Sequence, residues 1–201
     1  MKKIKIFELS LLIGFAIAAV FSITNFASTC EEIRGDVLRL HVLANSDSEE
    51  DQQLKLLVRD ALLEKGKNIF DGSVTKENAE EKIEKEKEAL IKTAKKVIKE
   101  NGFNYDVEIT VTDEFFTTRT YENATLPAGK YKAVRVLIGE SSGQNWWCVM
   151  FPPLCIPTAQ PDMNLFFTED EIKLVESDPR YEPRFKIIEI YENIKNHFNS
   201  N

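Results

Sequence analysis

Few side chains in these 201 residues suit nucleophilic, acid–base or metal chemistry: three cysteines, Cys30, Cys148 and Cys155, and two histidines, His41 and His197. A cysteine nucleophile needs a base to form its thiolate and a third group to orient that base. Cys148 with His41 is the pairing to consider, and neither stands in a local pattern that marks a nucleophile or its base. Two histidines so far apart in sequence, and a Cys-x6-Cys spacing, match no usual zinc arrangement. Glycine-rich phosphate loops are absent. Asp47, Glu49, Glu50 and Asp51 cluster where a helix begins, and capping accounts for them. The residues therefore assign no catalytic set, no metal and no cofactor, and they favour a binding protein over an enzyme.

The unusual stretch is Asn145 to Cys155, NWWCVMFPPLC, which holds both tryptophans of the chain. In an extended segment adjacent side chains point to opposite faces, so one ring can anchor in a core while the other looks outward. Pro152 and Pro153 lack N–H donors and must end the strand. A chain that turns back there brings Cys148 and Cys155 toward bridging distance, and an oxidising compartment favours the bond. Asn145, Trp146, Trp147, Phe151, Pro152 and Pro153 are the expected partner-binding residues.

The compartment is indicated by the N-terminus. Lys2, Lys3 and Lys5 precede an apolar run from Leu9 to about Ala27, and no charge occurs between Glu8 and Glu31. Such a run is an export signal or a single membrane anchor, and its basic flank places the following domain outside the cytoplasm. Residues 1–30 form this segment and residues 31–201 the exported domain, with cleavage after Ala27, Ser28 or Thr29 and retention as an anchor both open. Residues 1–30 carry three lysines and one glutamate, so the chain's net charge of −7 becomes −9 for the exported part. An acidic domain of this kind does not suit nucleic acid.

The elements that must position the tryptophan segment follow from periodicity. Val37 to Ala44 alternates as a strand paired on both sides, with Leu38, Leu40 and Val42 on one face and Val37, Arg39, His41 and Leu43 on the other. Ser46 or Ser48 caps a helix that buries Leu54, Leu57, Val58, Ala61 and Leu62. A second helix spans Thr75 to Glu100 with Ala79, Ile83, Leu90, Ala94, Val97 and Ile98 on its apolar stripe, closed by Asn101 and Gly102. Strands follow at Tyr105 to Val111, Phe115 to Tyr121 and Tyr131 to Ile138, the last central, with turns at LPAGK and at Ser141 to Gly143. Thr168 opens a capping box for one helix, and Ile187, Tyr191, Ile194 and Phe198 stripe another from Pro183. The expected fold is α+β, a single domain with a mixed or mainly antiparallel sheet covered by helices on one side.

Two blocks are less generic. Leu38 to Leu63, LRLHVLANSDSEEDQQLKLLVRDALL, and Leu126 to Cys155, LPAGKYKAVRVLIGESSGQNWWCVMFPPLC, resemble the stage II sporulation protein R family of endospore-forming bacteria. The resemblance implies a signalling protein exported from the forespore into the space between the forespore and mother-cell membranes. There it would activate a membrane-embedded aspartic protease that processes the early mother-cell sigma-factor precursor. The motif positions carried over are Asn45, Ser46 and Asp47 after the first strand, with Asn45 and Asp47 expected at the partner surface, and Asn145 to Cys155. Ser141 and Ser142 depart from the glycine-rich turn expected before the tryptophans. Two other classes compete: an exported thiol enzyme using Cys148 and His41, and a structural envelope or adhesion module.

Overall fold

Burial on both faces governs the central strand. In the computed structural model, which describes residues 2–70, 76–121, 124–155, 163–177 and 183–199, β1 (Leu38–Leu43) lies inside a four-stranded sheet. It pairs parallel with β5 (Gly129–Ile138) and antiparallel with β6 (Asn145–Phe151), while β2 (Val107–Phe116) pairs antiparallel with the far edge of β5. The sheet is mixed, in the order β2-β5-β1-β6. A small antiparallel pair, β3 (Arg119–Tyr121) and β4 (Ala124–Leu126), sits apart from it.

Leu38, Leu40 and Val42 face α2 (Glu49–Ile69) and α3 (Lys76–Glu100) in one apolar core. The stripes of these helices form as their spacing predicts, with Leu54, Val58, Leu62, Ile83, Leu90, Ala94 and Ile98 buried. Leu57 is the exception, since it lies on the outward side of α2 and is exposed. Ser48 caps α2 by accepting from the Asp51 N–H, and Gly102 closes α3 at a φ of +85°. Thr75, expected at the start of α3, is outside the described residues.

The sheet is covered on its other face too, a departure from the one-sided expectation. Val37, Phe116, Tyr131, Ala133 and Val149 pack there against α4 (Glu169–Val175), α5 (Pro183–Asn199) and the end of α1 (Lys2–Asp36). Thr168 and Glu171 form the capping box of α4. In α5 the buried residues are Phe185, Ile188 and Glu192, while Ile187, Tyr191, Ile194 and Phe198 are all exposed on the opposite side. The periodicity was the same for either face, and packing against α1 selected the one carrying Phe185, whose ring meets Phe26 edge-on at 5.2 Å.

α1 is long and apolar enough to cross a membrane. Its residues from Lys5 to Phe21 are exposed apart from a half-buried Ala19, whereas Phe26, Ile33, Cys30 and Arg34 are buried where the helix meets the second core. Arg34 donates from Nη1 to the Ala128 carbonyl at 2.8 Å, and its side chain fills the space where a Cβ on Gly129 would fall. Helix and domain are one structure from Phe26 onward. Ile33→Ala should therefore lower stability by about 2–4 kcal/mol, as for a core aliphatic, while Ile13→Ala should change it by less than about 0.5 kcal/mol. Urea unfolding of the full chain in detergent micelles measures both.

Candidate functional site

β1 ends at a polar corner that fixes where β6 begins. Asn45 accepts from the Glu140 N–H at 3.0 Å through its side-chain oxygen, and its carbonyl takes Ser142 Oγ at 2.7 Å and Ser142 N at 3.2 Å. Asp47 Oδ1 accepts from the Gln144 N–H at 2.8 Å, and Lys55 donates to the Gln144 carbonyl at 2.9 Å. The turn preceding the tryptophans is held along its length by the corner. Two glycines permit that approach: a Cβ on Gly139 would fall 2.2 Å from Asn45 Oδ1, and one on Gly143 2.1 Å from the Ser46 carbonyl oxygen. Between them Ser141 adopts a left-handed φ of 54°, a conformation that favours glycine.

Asp51 joins this corner to α2. Its Oδ2 accepts from Asn45 Nδ2 at 2.8 Å and from Ser46 Oγ at 2.6 Å. Burial alone would raise its carboxyl pKa, but hydrogen bonds from Ser46, Asn45, Tyr105 and Ser48 outweigh that and hold it below the ordinary value.

Held in this way, β6 splays its tryptophans to opposite faces. Trp146 is opposite Val42 in the register and lies on the α2 side, 37% exposed, with the Arg59 guanidinium 4.3 Å from its ring centroid. Trp147 is opposite His41 and stacks on that imidazole at 3.6 Å and 13°, with Phe116 edge-on at 4.9 Å. His41 is itself 3% exposed, its Nδ1 2.8 Å from Glu114 Oε1 and its Nε2 2.8 Å from Asn145 Oδ1. Both ring nitrogens are thus engaged, and the imidazole acts as a packed, oriented platform under Trp147.

Cys148 and Cys155 form a disulfide with Cα atoms 6.2 Å apart. Cys148 faces the α2/α3 core opposite Leu40, and His41 faces the other side of the sheet, so the proposed nucleophile and base never meet. A register shift at Leu38/Arg39 turns both Met150 and Phe151 toward the α2/α3 core. Phe151, expected at the partner surface, is consequently buried between Phe70 and Phe166, with Pro152 buried beside it and Pro153 half-buried. Asn45 and Asp47 have their side chains engaged in the corner. Trp146 and Asn145 are the segment's exposed residues. Among the described residues no group of three or more His, Cys, Asp or Glu is placed to hold a metal.

Sequence reasoning passed over Arg39, Arg119 and Tyr121. Arg39 is 0% exposed, donates from Nη2 to Tyr121 Oη at 2.6 Å and from Nε to the Cys148 carbonyl at 3.2 Å, and lies over the rings of Phe116, Tyr121 and Tyr131. Burial lowers its pKa, against the favourable pull of the two tyrosines. The available signal was an arginine among Leu38, Leu40 and Val42 in a strand expected to pair on both edges.

A family profile described as Stage II sporulation protein R matches residues 34–160, which take in β1 through β6, the corner and both cysteines of the disulfide. The chain belongs to the stage II sporulation protein R family. Stage II sporulation protein R of Bacillus subtilis (strain 168) is 37% identical over 123 residues, 61% of this chain. The alignment spans 55% of that relative, about half its length. No solved structure matches. Family membership assigns a role in sporulation, and the matched residues are those that build and hold β6, while α5 lies outside them.

The corner should respond to acid with a definite sign. Asp51 has a folded-state pKa below its unfolded one, so its contribution is complete above the ordinary carboxylate value and is lost as pH falls through the folded value. Asp51→Asn should flatten the acid side of the stability–pH curve, measured as urea midpoints across that range. Gly143→Ala should cost about 2 kcal/mol or more, because the methyl group meets backbone rather than a movable side chain.

Proposed function

We propose that this protein is an exported, membrane-held sporulation signal that activates a membrane-embedded aspartic protease, which then processes the early mother-cell sigma-factor precursor. The space between the forespore and mother-cell membranes is where it acts. Family membership supports the sporulation role, and the apolar α1 supports export with attachment to a membrane. The burial of Phe26 in the second core, with its ring against Phe185, favours retention of α1 over cleavage after Ala27 to Thr29, which would remove it.

The observation that carries a docking role is Trp146: a large aromatic left exposed on a strand whose position is fixed by the corner at its start and by the disulfide at its centre. Exposed aromatics on rigid supports make binding hot spots, because little conformational entropy is lost on association. The signal then acts by binding the active arrangement of the protease more tightly than the inactive one. Nothing in this mechanism requires a nucleophile.

The decisive measurement is precursor cleavage in cells carrying the cognate protease and precursor, with and without this protein exported. Cleavage should depend on its export. Trp146→Ala should fold within about 1 kcal/mol of the parent and lose most signalling. Trp147→Ala should lose about 3 kcal/mol of stability, since it removes the ring stacked on His41. His41→Gln should still signal in so far as it folds, and loss of signalling in a well-folded His41→Gln protein would restore a catalytic reading.

A further inference from the structure

The outer side of α5 is apolar. Ile187, Tyr191, Ile194 and Phe198 are 46%, 58%, 53% and 75% exposed, with Ile190 beside them at 52%, while Phe185, Ile188 and Glu192 fill the buried side. The first four recur at i, i+4, i+7 and i+11, the alternating steps of four and three that form the seam of a helix pair. A single exposed apolar residue is ordinary, but a contiguous row of them marks an interaction face. This row lies outside residues 34–160, so it is a property of this chain beyond the family match.

What covers the face follows from how α5 is mounted. It runs beside α1 in the same direction: Arg184 donates to Ser22 Oγ at 3.4 Å, the Phe185 ring meets Phe26, and Glu192 pairs with Arg34 at 3.4 Å. α5 therefore begins level with the end of the apolar run of α1 and rises away from it. Phe198 lies roughly 16 Å along the helix from Ile187, so a bilayer around α1 reaches only the start of the row. Lipid cannot cover a face that leaves the membrane side-on.

We infer that a second copy of this chain covers it, through a parallel α5 pair. The inference rests on α1 as a retained membrane anchor. Two chains held in one membrane share an orientation, so a two-fold axis along the membrane normal brings their α5 helices together parallel and in register. The five side chains expose roughly 600 Å² per copy, so pairing removes about 1,200 Å² in total, the lower bound of a specific, stable interface. Lys186 and Lys195, at the edges of the row, are paired within each copy with Glu189 and Glu192 at 3.3 and 3.9 Å. Because α1 packs on the opposite side of α5, the domains make this contact and the membrane helices stay apart. The assembly carries two copies of Trp146.

The test uses the full chain reconstituted in lipid vesicles at high dilution, with Ile194→Cys on the seam and Asn193→Cys beside it. Cys30 is buried and Cys148 and Cys155 are bonded, so the new thiol is the reactive one. Under a mild oxidant Ile194→Cys should form cross-linked dimers about tenfold faster than Asn193→Cys. In detergent micelles Ile194→Lys should keep the parent's urea midpoint and raise the dimer dissociation constant at least about tenfold, read by light scattering. Gly14→Leu, in the exposed part of α1, should leave that constant unchanged. Equal cross-linking at the two positions, a dimer indifferent to Ile194→Lys, a dimer dissolved by Gly14→Leu, or a monomeric parent would each overturn the seam. Alkaline extraction of the vesicles reads the anchor separately. A chain that washes off sinks α1 as an anchor and leaves the micelle measurement to decide the dimer, whereas one that stays without cross-linking sinks the dimer alone.

Discussion

The structure depends on β1 having neither a free edge nor a free face. Six residues pair with β5 on one side and β6 on the other, while two separate cores close above and below. A strand so enclosed draws the partners of its polar side chains from within the protein, and of the two it carries, Arg39 and His41, only Arg39 Nη1 is left without a hydrogen bond. Arg39 and His41 are therefore surrounded by aromatic rings, carbonyls and Glu114, and the surface around β6 is organised from inside by residues that never reach it.

The corner at Asn45 to Asp51 carries that order from β1 to β6. A strand's side chains alternate, so a slip of one residue would exchange the faces of Trp146 and Trp147 and place Cys148 under the wrong core. The hydrogen bonds to Glu140, Ser142, Gly143 and Gln144 prevent the slip before the strand begins, and the disulfide ties the strand's centre to the chain just beyond it. The two sequence blocks that resemble the family touch each other here. Their polar residues are best understood as a clamp, with the display left to the aromatic ones.

Much of this was legible because it is local. Alternation in Val37 to Ala44, the stripes of α2 and α3, the Thr168 capping box and the stop at Pro152 each depend on a few consecutive residues, and each appears in the structure. What escaped depends on contacts distant in sequence. The second layer is built from α1, α4 and α5, whose short or two-sided patterns do not say what they pack against, so the sheet was expected to be bare on that side. The register shift that turns Phe151 inward leaves no mark in composition. Arg39 was visible as a letter on a strand face, but its three rings come from Phe116, Tyr121 and Tyr131, which only the folded chain brings together.

The unbroken helix from Lys2 to Asp36 has a further consequence. At 1.5 Å per residue it is a rod of roughly 50 Å, of which crossing a bilayer's hydrocarbon would need about 30 Å. The remainder is buried in the domain, so no linker separates the two and nothing acts as a swivel. On the proposed reading of α1 as a retained anchor, a domain mounted in this way could drift in the plane of its membrane and spin about the rod, but it could not tumble. The β6 edge would then sweep a fixed height above the lipid, and a facing partner would meet it already oriented, with most of the rotational search removed before contact.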